Sequence, residues 1–337
     1  MIEIDYFVKA VCGKIPPGLT FQPSDAELTE YFQETKKADE EETTSLDGGE
    51  TEKHEPTLIS PKYPADSQII AIDTTSFTLG EIPDGLVGAV RASIIARAPG
   101  KTSHSLEKYG PYLIPITNQN KETVYKNTFK TIFGRPNEST SPDCRKTLDH
   151  IRSWLERYLQ DAVVKNHKDS LILLDGSLIA GFVADPTFIL RNVLKNASIN
   201  GNTVVAISKS TGLTLQKTMH NILSLLDGVQ GPCYIGDIKK HITQNSDRYL
   251  GEVYVAKLTP LGEPFRIDIP KDAPLSHDEV FAQLAGLAGD YGYPEELKLA
   301  HMTCVLSSIE ILELQAAAIL LHGLSMKEEL RPKIFPL

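Results

Sequence analysis

Cysteine is scarce in this chain: four in 337 residues, at positions 12, 144, 233 and 304. No two form a C-x-x-C pair and no histidine stands near them at zinc spacing, which argues against a structural zinc site and a disulfide framework. Scattered thiols of this kind read as reduced, so the expected location is cytoplasmic. Basic charge is also in deficit. Lys and Arg number 34 against 44 Asp and Glu, a net charge of −10. A protein that only coats DNA is normally basic, and this balance argues against that class. Long apolar runs are missing too: residues 171–184 are interrupted by Asp175 and fall short of the ~20 residues of a membrane helix. The first residues have no basic segment followed by an apolar core, so neither a secretory signal nor a membrane role is expected. No G-x-x-x-x-G-K-[ST] occurs, which removes the P-loop ATPases. No internal repeat is visible.

What remains is the composition of an ordinary folded chain, 41% hydrophobic and 23% charged. Its length suits two domains of roughly 150 residues or one elaborated α/β unit. The negative charge is uneven. Residues 34–55 hold nine acids and three lysines, a net −6 that leaves −4 for everything else. Such a segment buries too little apolar surface to offset its ordering entropy, and a mobile loop or linker is expected there. A locally positive cleft elsewhere is compatible with the total.

Several apolar runs read as strands covered on both faces: residues 68–73 (QIIAID), 85–97 (GLVGAVRASIIAR), 170–175 (SLILLD) and 202–208 (NTVVAIS). Residues 112–116 and 122–131 read as further extended pieces. Helices are expected near 23–35, over 143–165 with Leu148, Ile151, Leu155, Tyr158 and Ala162 as its stripe, and over about 185–196. Residues 211–227 are amphipathic. Residues 251–258 and 265–269 alternate around a Thr-Pro-Leu-Gly-Glu-Pro connection and predict a hairpin. Ser276 and Glu279 form a capping box for a helix ending near Ala288. Pro294 opens a last helix expected to reach about Leu321. Buried strands mixed with helices point to an α/β core.

Two acids end apolar strands: Asp73 after IIAI, and Asp175 after LILL and before Gly176. Ligands bind beyond the carboxyl ends of strands in open α/β sheets. Two carboxylates meeting at one rim repel unless a cation lies between them, and oxygen donors suit Mg²⁺ or Mn²⁺. Asp-Gly is also a common turn, and Asp-Thr-Thr-Ser a self-capping strand end. Glu156 flanks the stripe of the 143–165 helix, where an i,i+4 pair with Arg152 is the plain alternative. His301 points inward with Leu297, Cys304 and Val305, the common setting of a hydrogen-bonded core histidine. Lys209 follows the 202–208 strand and stands where a phosphate can meet it.

In order, the chain presents IIAIDTTSF, a helix carrying Glu156, LILLDGSL, VVAISKS and GYPEELKLAH. Over residues 68–310 this resembles the NurA family of archaeal and bacterial nucleases. LLDGSL and YP-x-x-L-x-x-AH are the specific pieces. The resemblance implies an RNase H-like core with a mixed sheet flanked by helices, plus N- and C-terminal helical extensions. It implies residues 1–67 as an extension, 68–310 as the nuclease domain, and 311–337 as a helix end with an apolar tail containing Ile334, Phe335 and Leu337. By motif, Asp73, Glu156, Asp175 and His301 are its metal-binding and catalytic residues, with Asp149 and Asp161 competing for the place of Glu156. Tyr293 is its catalytic tyrosine, with Tyr291 competing. Lys209 is kept as a DNA contact. Manganese, or magnesium, is the implied cofactor. Single-stranded DNA and duplex ends are the implied substrates, cut 5′ to 3′ at ends. A hexameric HerA translocase and a second copy of the chain are the implied partners in end resection. Two other readings remain: an actin-like ATPase or sugar kinase, for which no late Gly-rich adenosine motif is present, and a non-catalytic dimeric adaptor that loads a motor onto DNA ends.

Overall fold

The computed structural model describes residues 15–26, 44–46, 55–181, 185–215, 220–236, 238–242, 246–289 and 291–326. In chain order the strands are β1 (Thr20–Pro23), β2 (Thr44–Leu46), β3 (Thr57–Leu58), β4 (Gln68–Ile82), β5 (Gly85–Arg97), β6 (His104–Thr117), β7 (Ser170–Asp175), β8 (Thr203–Ser208), β9 (Leu213–Leu215), β10 (Cys233–Ile235), β11 (Glu252–Lys257), β12 (Pro264–Ile269) and β13 (Ser325–Met326). The helices are α1 (Lys121–Phe133), α2 (Cys144–Asn166), α3 (Thr187–Ile199), α4 (His277–Leu287), α5 (Glu295–Cys304) and α6 (Ser308–His322).

Eleven strands make one mixed sheet in the order β13-β1-β4-β7-β8-β12-β11-β10-β3, with β5 and β6 continuing from the other edge of β4. β4, β7 and β8 run parallel. The long β4–β5–β6 meander is antiparallel, as is the β11–β12 hairpin. Helices cover both faces. Even-numbered residues of β4, such as Ile70 and Ile72, pack with α2 through Leu148, Ile151, Trp154 and Leu155. Odd-numbered ones, Ile69 and Ala71, pack with α4 and α5 through Phe281, Leu284, Leu297 and Ala300. This is the two-face alternation of a strand, and it confirms the mixed α/β sheet expected from the sequence. Gly88 lets α2 lie close, since a Cβ there would stand 2.3 Å from Leu148 Cδ2.

Five expectations are corrected. Residues 122–131 are helical, not extended. Val124, Tyr125, Thr128 and Phe129 recur at helical spacing, and Gly134 closes the helix in the left-handed region at φ 67°. Their Thr, Tyr and Phe content favours strands, but burial of one face against α2 overrides propensity. Within 211–227 the described pieces are β9 and a 3₁₀ turn, Ile222–Leu226, capped by Asn221. β9 pairs with β2, which takes Thr44–Leu46 out of the expected loop. The last helix is two: Val305 is extended, and Ser307 with Glu310 forms a second capping box that starts α6. By composition Glu295–His322, with a window of mean hydropathy 1.8, passes for a membrane span, but this break divides it. Pro23 closes β1 rather than opening a helix. Ala26 is helical; the expected helix beyond it, most of the acidic stretch and the apolar tail lie outside the described residues.

Candidate active site

β7 ends at Asp175 as expected, but β4, expected to end at Asp73, runs on to Ile82, ten residues past the pairing of Ile72 with Leu174. On that edge β1 resumes pairing only at Gly80 and Glu81. The sheet therefore has a notch beyond the carboxyl ends of β7 and β8, with Asp73 at its base beside Asp175. Gly176 turns the chain away at φ 123°, a conformation that favours glycine. The N–H of Leu178 donates to Asp268 Oδ2 at 2.8 Å, and Arg266 holds the same carboxylate through Nε and Nη2 at 2.8 and 2.7 Å. That buried pair fixes the turn carrying Asp175. Sequence reading missed it, although an Arg and an Asp two apart in the apolar run PFRIDI share one strand face and were the available signal.

Ligand atoms of Asp73, Asp175 and His301 lie within 4.8 Å of one another. Asp73 receives the N–H of Thr74 at 2.8 Å on one oxygen and meets His301 Nδ1 at 2.9 Å on the other. The two carboxylates are almost fully buried, 1% and 6% exposed, while His301 is 21% exposed. Two buried carboxylates at this separation repel, and a cation among them removes the cost. Two carboxylate oxygens and one imidazole nitrogen are a donor set that fits Mn²⁺, and Mg²⁺ through the oxygens. α5 is seated on the strands by polar bonds as well as apolar contacts. Ser93 Oγ donates to Ala300 O at 2.7 Å, and Cys304 Sγ lies 3.0 Å from Asp73 O.

Tyr293 and Lys209 complete the rim. Lys209 Nζ is 3.5 Å from Asp175 Oδ2 and 4.7 Å from the centre of the Tyr293 ring. The Tyr293 hydroxyl is buried. Burial, then the charges of Asp175 and Asp73, push its pKa well above the usual phenol value, so it stays protonated at neutral pH. Tyr291 is 81% exposed. Of the two tyrosines, only Tyr293 is turned toward the carboxylates.

Glu156 is not in the three-residue group. It stands across β4 on the α2 face. Thr74 Oγ1 donates to Glu156 Oε2 at 2.9 Å, Arg152 Nη1 to the same oxygen at 3.1 Å, and Gln160 Nε2 to Oε1 at 3.3 Å. Neighbouring strand residues face opposite ways, so Asp73 and the partner of Glu156 are adjacent in sequence and on different sides of the sheet. Asp149 takes a bond from Ser76 Oγ at 3.0 Å on that same side, and Asp161 pairs with Lys165 and Asn196 farther along α2. Of the three acids, Glu156 stands next to Asp73, one hydrogen bond away through Thr74.

A family model described as the NurA domain matches residues 67–306. Among solved structures, the chain is similar in fold to the crystal structure of the NurA nuclease from Sulfolobus solfataricus. The TM-score is 0.50 at 17% identity, over 79% of this chain and 86% of that one. A second crystal structure, of NurA, aligns with a TM-score of 0.47 and 10% identity over 78% of this chain and 90% of that one. No curated protein sequence matches.

Proposed function

This chain belongs to the NurA family, and from that premise we propose that it is a divalent-metal-dependent deoxyribonuclease. The observation that carries the reading is the convergence of Asp73, Asp175 and His301 within 4.8 Å at the sheet notch. Asp73, Asp175 and His301 would hold a Mn²⁺ or Mg²⁺ ion, and Glu156 supports them from beyond Thr74. When bound, the ion supplies Lewis acidity at a phosphate oxygen and lowers the pKa of water. The chain's own groups do the rest. Asp73 orients the His301 ring through Nδ1, which leaves the other ring nitrogen for a cation or a proton. The protonated Tyr293 donates a hydrogen bond to a phosphate oxygen. Lys209 meets the backbone of the strand as a point charge.

Residues 68–310 act as the nuclease unit, and single-stranded DNA and duplex ends, cut 5′ to 3′, are the substrates. A hexameric HerA-type translocase feeds the ends in recombinational repair in the cytoplasm. The working form is a homodimer. Its support is the outer face of α6, where Ile309, Leu312 and Leu320 are 70%, 58% and 81% exposed. Residues 1–67 and 311–337 are extensions around the unit. The deciding experiment is the double variant Asp73→Ala/Asp175→Ala with Mn²⁺ on a labelled single strand. Loss of cutting is the expected result; an unchanged rate defeats the proposal.

A further inference from the structure

The far end of α5 is anchored by a pair of charges that the site itself does not use. Arg97 is the last residue of β5, opposite Ile69 of β4 and His104 of β6. Its Nε donates to Glu296 Oε1 at 2.8 Å, and the two side chains are 2% and 3% exposed. Tyr63 covers the guanidinium, 4.6 Å from ring centre to Cζ. His104 Nε2 stands 3.5 Å from the same carboxylate oxygen. The remaining donors, Arg97 Nη1 and Nη2, and the remaining acceptor, Glu296 Oε2, are buried with no partner among the described residues.

As a source of stability this is a poor arrangement. Burying two ions costs their hydration, and the attraction offsets that cost only when the other hydrogen-bonding positions are filled. Here three are empty. A well-packed apolar pair of similar volume would hold the helix at least as firmly. What an apolar pair cannot do is fix position along the strand. Leu297 and Ala300 pack against β4 and β5 through contacts that change little over a fraction of an ångström. A 2.8 Å ionic hydrogen bond does not allow that slide. Glu296 precedes His301 by five residues on one helix, about 7.5 Å of axial rise. Any shift of α5 at Glu296 is thus transmitted to the 2.9 Å contact between His301 and Asp73.

We infer that Arg97 and Glu296 are positioning residues for the candidate active site: their buried pair sets the register of α5 on β4 and β5 so that His301 stands on Asp73. The inference rests on the nuclease reading only for its Mn²⁺ and activity readouts. Arg97→Met/Glu296→Leu is compared with wild type by thermal melting, by the ¹⁵N resonance of His301 Nδ1 in metal-free protein, by Mn²⁺ calorimetry, and by kcat and KM on a single-stranded oligonucleotide. The expected result is an undiminished Tm, a moved His301 resonance, Mn²⁺ affinity lower by about 10- to 100-fold, and a reduced kcat with little change in KM. Arg97→Lys, which keeps the charge, is expected to fall between the two. A folded double variant with the wild-type His301 resonance and Mn²⁺ affinity overturns the inference. Should the double variant not fold, Glu296→Gln carries the same readouts, with a smaller displacement expected and none overturning the claim. A wild-type protein that binds no Mn²⁺ overturns the nuclease reading instead, and the His301 resonance still decides the role of the pair.

Discussion

The two faces of β4 are built from the same strand and do different work. On the α5 face, Asp73 meets an imidazole, a neighbouring carboxylate and the polar seat of a helix. On the α2 face, one residue later, Thr74 meets Glu156 and Arg152. Behind it lies an aromatic cluster in which Tyr125 and Phe129 pack on Trp154 at 4.6 and 5.1 Å between ring centres. One face gathers ligand atoms at the rim of its apolar core. The other secures an acid on a densely packed helix. Chemistry and support are thus separated by one pleat of the strand, and the notch beyond β7 is where they come nearest.

The contrast is tested most severely by neutralising one acid on each face. Asp73→Asn is expected to lower single-strand cleavage by about 10³-fold and abolish the calorimetric Mn²⁺ signal. Glu156→Gln is expected to lower cleavage by about 10²-fold and retain Mn²⁺ binding. Equal loss of metal by both would erase the distinction between the faces. Next in size is a purely mechanical change on the α2 side. Trp154 is fully buried, and Trp154→Ala should cost about 3–5 kcal/mol in urea unfolding while leaving kcat per folded molecule intact. A smaller insult of the opposite kind is Gly88→Ala. The new methyl meets Leu148, and about 1–3 kcal/mol should be lost, again without a change in metal affinity.

The smallest expected effect is in pH. Burial lowers the pKa of His150 and raises that of Tyr125 to about 12, and the two side chains are hydrogen-bonded at 2.9 Å. The folded state disfavours charge on both. Stability from His150 is therefore present above its unfolded value near 6.5 and falls as pH drops below that. Stability from Tyr125 is present below about 10 and is lost as pH rises from there through 12. Melting profiles should show a shallow acid decline that His150→Gln removes and an alkaline decline that Tyr125→Phe reduces. Both belong to the α1–α2 layer, so Mn²⁺ affinity measured at neutral pH should be unaffected by either substitution.

Much of this architecture was legible before folding. β4, β7 and β8 are continuous apolar runs because both their faces are covered, and such runs announce themselves. α2 shows its stripe, and α4 its capping box. Asp175 stood out as an acid ending such a strand; Asp73 was read the same way, although β4 runs on from it to Ile82. Other features were visible and misread. The Ser307–Glu310 capping box divides α5 from α6 inside a run apolar enough to look continuous. The β-prone residues of α1 turn out to be one face of a helix. Arg97 with Glu296 could not be read as a pair, because a strand and a helix distant in sequence bring them together; Arg266 and Asp268 share one strand face and could be, but not the distant Leu178 turn that they hold.

Periodicity by itself determined the covered strands, the helices that flank them and the end of β7 at Asp175, since these follow from local burial and from where a strand must stop. Which face each acid serves was decided only in three dimensions. Glu156 joins Thr74 rather than Asp73, and Tyr293 rather than Tyr291 turns to the carboxylates, because side-chain direction depends on how helices seat across the sheet. That seating is set by contacts between residues more than two hundred positions apart, which no local pattern encodes.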